Sequence, residues 1–84
     1  MYDIIIKKRG DNVIHYTKRL RDIREDNDLK QSDVAEIIKK TQQQYSDYES
    51  GKRKMSVDVL IELSAYYNVS TDYLLGLSDK KERA

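Results

Sequence analysis

Three glutamines in a row, Gln42-Gln43-Gln44, follow Thr41 and lead into Tyr45-Ser46-Asp47-Tyr48-Glu49-Ser50. A glutamine amide holds a donor and an acceptor in one plane, which matches N6 and N7 of adenine in a major groove. Thr41 suits an N-cap and Gly51 a C-terminal stop, so a short helix is predicted from Gln42 to about Ser50. At about 100° per residue, Tyr45 and Tyr48 share an apolar face, while Gln43, Ser46 and Asp47 share the opposite one with Gln42 at its edge. A merely solvated face would more often carry Glu and Lys, which form helix better and pair at i, i+4. The helix start also turns free backbone N–H groups and a positive dipole end toward any phosphate. Directly behind it, Lys52-Arg53-Lys54 supplies cations for a phosphate backbone. Either feature alone reads as ordinary surface. At the two ends of one short helix they form a unit.

The elements that must position this helix can be read from spacing. Val13, Tyr16, Leu20 and Ile23 recur at helical intervals, predicting a first helix to about Asn27. Arg9-Gly10-Asp11-Asn12 reads as a turn before it, and Tyr2–Ile6 as a strand or an arm. A second helix follows Leu29, with Val34, Ala35, Ile37 and Ile38 as its stripe, a poor cap in Lys30 and Asp33 in its first turn. About three residues then separate it from the glutamine helix, the length of a helix-turn-helix connection. Ser56 caps a fourth helix to Tyr67, closed by Asn68, and Ser70 or Thr71 caps a last short one ending at Gly76. The chain thus divides into residues 1–12, a five-helix domain at 13–77, and a frayed tail at 78–84.

Composition sets outer bounds. The 84 residues include no Cys and no Pro, which removes disulfides and thiolate metal sites and favours helices. No apolar run approaches the roughly 20 residues of a membrane span, so a cytoplasmic protein is expected. The lone His15 has no partner for a metal site, no Gly-rich phosphate loop occurs, and the acids are spread as solvated faces, so neither an enzyme nor a cofactor is expected. The net charge of +1 argues at first against a nucleic-acid ligand, but it sums opposed blocks. Residues 18–24 hold four cations and one acid, and residues 39–54 hold five and two. The acids concentrate in residues 25–38 and 55–79. Near-neutrality therefore predicts weak non-specific binding rather than none.

Residues 19–77 resemble the Cro/cI-type (XRE-type) helix-turn-helix family of phage and bacterial repressors. The likeness rests on Arg19-Leu20-Arg21 with Arg24, on Leu29-Lys30-Gln31-Ser32-Asp33-Val34-Ala35, on Thr41 through Arg53, and on Asn68 through Gly76. It implies an all-α, five-helix, lambda-repressor-like domain whose third helix enters the major groove of double-stranded DNA. By that resemblance Gln42, Gln43, Ser46 and Asp47 read base edges. Gln31, Gln44, Ser50, Lys52, Arg53 and Lys54 hold the backbone, with Gln31 also bracing Gln42. Arg24 pairs with Glu49 to lock helix three to the scaffold. Departures from the family pattern are Asp47, where a cation or amide is commoner, Lys39, at a turn position often held by Gly, Lys40, which replaces an apolar residue, and Met55, where Pro is common.

The expected function is a transcriptional regulator, a repressor that binds a palindromic operator as a homodimer. Dimer contacts are expected from Tyr73, Leu74, Leu75 and Leu77, with residues 2–6 as the alternative. The competing expectation is an antitoxin or protein-interaction module on the same fold, gripping a protein partner through residues 2–6.

Overall fold

The computed structural model describes residues 9–83, and their side chains from Tyr16 onward. Five helices follow one another: α1 (Arg9–Asp26), α2 (Gln31–Ile37), α3 (Gln42–Ser50), α4 (Val57–Tyr67) and α5 (Thr71–Leu74). Among the described residues there is no strand. The strand or arm expected at residues 2–6 lies outside them.

The core forms where the apolar stripes of the helices meet. Leu20 and Ile23 of α1, Val34 and Ala35 of α2, Tyr45 and Tyr48 of α3, and Val59 and Leu63 of α4 are all buried, with Ile38, Val69 and Leu74. Burying the larger of these side chains contributes about 1.5–3 kcal/mol each relative to exposure. Tyr45 and Tyr48 meet edge to face, 6.5 Å apart at 83°, the arrangement that ring quadrupoles favour. These two rings fix which side of α3 is left for a ligand.

Caps set most of the boundaries. Thr41 Oγ1 accepts from the Gln44 N–H at 3.1 Å, and Gln44 Oε1 accepts from the Thr41 N–H at 2.9 Å, a reciprocal capping box. Ser56 and Ser70 cap α4 and α5. Lys30 cannot accept with its side chain, but the Asp33 carboxylate accepts from its backbone N–H at 2.8 Å. At the end of α3 the Gly51 N–H donates to the Tyr48 carbonyl with φ at +85°, a left-handed turn that glycine enters without steric cost.

Lys39 enters the same region at φ +57° in the turn between α2 and α3. A side chain pays roughly 1–2 kcal/mol there, part of which the freer unfolded state of glycine cancels. Lys39→Gly is therefore expected to stabilise the fold by about 0.5–1 kcal/mol. A thermal melt should show Tm rising by a few degrees; a lower Tm would contradict the assignment of strain.

The structure departs from the sequence expectation at both ends. The predicted turn at Arg9-Gly10-Asp11-Asn12 is instead the start of α1. A glycine in the first turn costs a helix at most about 1 kcal/mol, and the amphipathic turns that follow outweigh it. The tail expected to fray is tied down. The Ser70 N–H donates to the Lys81 carbonyl at 2.7 Å, Ser70 Oγ to the Lys80 carbonyl at 3.0 Å, and Arg19 Nη1 to the Ser78 carbonyl at 3.4 Å. Arg19 also stacks on Tyr73, its guanidinium carbon 3.9 Å from the ring centre. The residues after α5 thus close over Arg19 and the start of α5.

Candidate nucleic-acid interface

The outward face of α3 begins with three exposed glutamines, Gln42, Gln43 and Gln44, and continues into half-buried Ser46 and Asp47. They do not stand alike. Gln44 spends its amide oxygen on the Thr41 N–H, so its amide nitrogen is what it can offer a phosphate. Gln43 Nε2 donates to Asp47 Oδ1 at 2.9 Å, joining two of the proposed base readers one turn apart. Gln42 projects from the first turn of α3, on the exposed side.

Behind this face sits a nearly closed polar hub. The Glu49 carboxylate accepts from Arg24 Nε at 2.6 Å and Nη2 at 3.2 Å, from Gln31 Nε2 at 3.1 Å and from Tyr45 OH at 2.5 Å. Its side chain is 6% exposed and that of Arg24 is 12% exposed. Arg24 Nη1 also donates to the Leu29 carbonyl at 2.8 Å, so one guanidinium ties α1 to the α1–α2 turn and to α3. Burial pushes the Glu49 carboxyl up, but hydrogen bonds from Arg24, Tyr45 and Gln31 outweigh it and hold the group below its ordinary value. Burial and the bond to Glu49 push Tyr45 far above the usual phenol range, so it stays a donor.

Gln31 therefore reaches Glu49, and among the described residues it makes no bond to Gln42. The physical reason is competition. A charged acceptor with little solvent attracts the amide N–H more strongly than a neutral, exposed glutamine does. Gln31, Arg21, Arg24, Ser46, Glu49 and Ser50 line one concavity between α1, α2 and α3. Arg21 has no place in the set of contacts expected from sequence, yet it stands at this rim and is exposed. Its one signal was the position one turn before Arg24 in a cationic block.

The loop after α3 carries Lys52, Arg53 and Lys54, all exposed. It is pinned by its backbone: the Arg53 N–H donates to the Asp47 carbonyl at 3.1 Å and Ser50 Oγ to the same carbonyl at 3.3 Å. The cations are thus held at the C-terminal end of α3. Among the described residues no cluster of His, Cys, Asp or Glu could hold a metal ion, and no helix is long and apolar enough to cross a membrane.

The profile of the helix-turn-helix family matches residues 20–74, from buried Leu20 to buried Leu74. The chain belongs to that family. It is 39% identical over 64 residues to the uncharacterized HTH-type transcriptional regulator YobD of Bacillus subtilis, covering 76% of this chain and 57% of YobD. It is 38% identical over 66 residues to the HTH-type transcriptional regulator ImmR of the same organism, covering 79% of this chain and 52% of ImmR. A crystal structure of a transcriptional regulator from Listeria innocua superposes with a TM-score of 0.70 at 28% identity, over 73% of this chain and 57% of that one. The chain spans little more than half the length of these relatives. Within this family match, α2 and α3 are the helix-turn-helix pair, joined through Ile38, Lys39, Lys40 and Thr41.

Of the residues expected at a dimer contact, Leu74 is wholly inaccessible in the core and cannot serve. Its place in the last short helix made it look peripheral, but α5 folds inward and seats it. Tyr73 and Leu75 are half-buried, and Leu77 is exposed.

Proposed function

We propose that this chain is the DNA-binding part of a transcriptional regulator, a repressor that grips a palindromic operator as a dimer with α3 in the major groove. One observation carries the reading. The polar face of α3 is exposed, while its opposite face is locked into the core by Tyr45 and Tyr48 and its end is locked by Glu49. A helix so fixed can present short amides to base edges with little ordering cost. Gln42 and Gln43, with Ser46 or Asp47 one turn later, read bases. Gln31, Gln44 and Ser50 join Lys52, Arg53 and Lys54 on the phosphates, flanking that face on both sides.

One short helix reaches only a few base pairs, so two copies about 34 Å apart would fit successive major grooves. With Leu74 excluded, Leu77 and the half-buried Tyr73 and Leu75 form the apolar patch for that pairing.

Selection of bound sequences from a random duplex pool tests the reading directly. Gln43→Ala should lose about 1–3 kcal/mol on the selected site and leave random duplex binding unchanged. An equal loss on both, measured by fluorescence anisotropy, would remove Gln43 from the base readers.

A further inference from the structure

We propose that Asp47 fixes the base preference of α3 by holding the Gln43 amide in a single orientation. The position under this pair then accepts adenine or cytosine and rejects guanine. The inference rests on the reading of α3 as the helix that enters the groove, and it adds which bases that helix admits.

Gln43 Nε2 donates to Asp47 Oδ1 at 2.9 Å. An ionised carboxylate only accepts, so the amide must turn its nitrogen toward Asp47 and its oxygen away. The backbone of Asp47 is itself held, since its carbonyl accepts from the Arg53 N–H at 3.1 Å and from Ser50 Oγ at 3.3 Å. Among the described residues no cation pairs with the Asp47 carboxylate, so nothing else claims Oδ1.

The atoms offered outward are then specified. Gln43 Oε1 accepts, the second hydrogen on Nε2 donates, and Asp47 Oδ2 accepts. Adenine satisfies the amide in this orientation, with N6 donating to Oε1 and N7 accepting from Nε2. Cytosine N4 can donate to either acceptor. Guanine presents O6 and N7, both acceptors, opposite an arrangement dominated by acceptors. Guanine O6 would face Gln43 Oε1, acceptor against acceptor; to donate to O6 the amide would have to flip, and the flip would turn its oxygen against the carboxylate. A cation at position 47 would hold the amide the other way round, and an amide there would impose no choice. Asp47, the departure from the family pattern, thereby becomes a specificity device built on negative charge.

Duplex selection with the whole chain provides the test. Gln43→Ala identifies the base pair that Gln43 governs, as the position whose preference disappears. In the unmodified protein that position should favour adenine or cytosine over guanine by roughly tenfold or more. Asp47→Asn lets either orientation of the amide find a partner, and Asp47→Ala removes the anchor altogether. Both should bring discrimination against guanine down to a few-fold, while affinity for all duplexes rises as a negative charge leaves the groove. The ratio between bases is taken within each variant, so the general rise does not affect it. A uniform rise with the ratio unchanged in both variants, or a guanine preference in the unmodified protein, overturns the role of Asp47 and leaves DNA binding standing. Failure of the unmodified protein to retain any duplex overturns the DNA reading and this inference with it.

Discussion

Arg24→Ala is expected to destabilise the domain by roughly 3–5 kcal/mol, the usual consequence of leaving one partner of a buried ion pair behind. The carboxylate it abandons is 6% exposed and would keep only the donors of Gln31 and Tyr45. Domains of this size have roughly 5 kcal/mol or little more to lose, so the variant should be largely unfolded near 37 °C. Arg24→Lys keeps the charge but not the two-pronged contact at 2.6 and 3.2 Å, nor the bond to the Leu29 carbonyl. It should recover only part of the loss. Urea denaturation of the two variants and of Glu49→Gln measures this. A cost under about 1 kcal/mol for Arg24→Ala, the value of a surface pair, would show that the hub is not buried in solution.

The same hub makes stability depend on pH with a defined sign. Glu49 is held below its unfolded value, so the unfolded chain binds more protons through the carboxylate range. The stabilisation is present above the unfolded pKa and is lost as pH falls through the lower, folded one. In Arg24→Ala the remaining carboxylate is the costly species, and protonation relieves that cost. The stability gap between this variant and the unmodified protein should therefore narrow as pH drops below about 4.5. Parallel urea midpoints across that range would contradict it.

Much of this arrangement can be read from the residues themselves, and the reasons differ by element. The boundaries of α3 are legible because Thr41 and Gly51 act locally, and its buried face because two tyrosines three apart leave no other side to bury. The Arg24–Glu49 contact is a long-range pairing that spacing alone does not reveal, and it enters through resemblance. The start of α1 is misread because Arg-Gly-Asp-Asn has turn chemistry, and a turn signal loses when the helix after it is long enough to absorb one glycine. The tail is misread because its anchors are backbone carbonyls, which every residue carries and no side-chain pattern marks. Gln31 goes to Glu49 rather than Gln42 because the choice between acceptors depends on burial. Burial is a property of the assembled core.

The second large effect is expected on binding rather than folding. Lys52, Arg53 and Lys54 are exposed and take no part in the core, so replacing all three with alanine should leave the melt within about 0.5 kcal/mol of the parent. Each phosphate contact releases counterions worth a slope of about 0.9 in log K against log salt. If each of the three cations meets a phosphate, the triple variant should have a slope shallower by about 2.7, and near 0.15 M salt it should bind roughly 100-fold more weakly. The loss should be the same on the selected operator and on random duplex, because phosphates carry no sequence. That uniformity separates these cations from Gln43, whose removal should be felt on the selected site alone. The mixed charge of the chain sharpens the contrast. With acids concentrated in residues 25–38 and 55–79, few other cations can compensate at the groove, so the loop must carry much of the salt dependence. An unchanged slope in the triple variant, with the operator still bound, would place the phosphate contacts elsewhere. The concavity beside Arg21 would then be the first place to look.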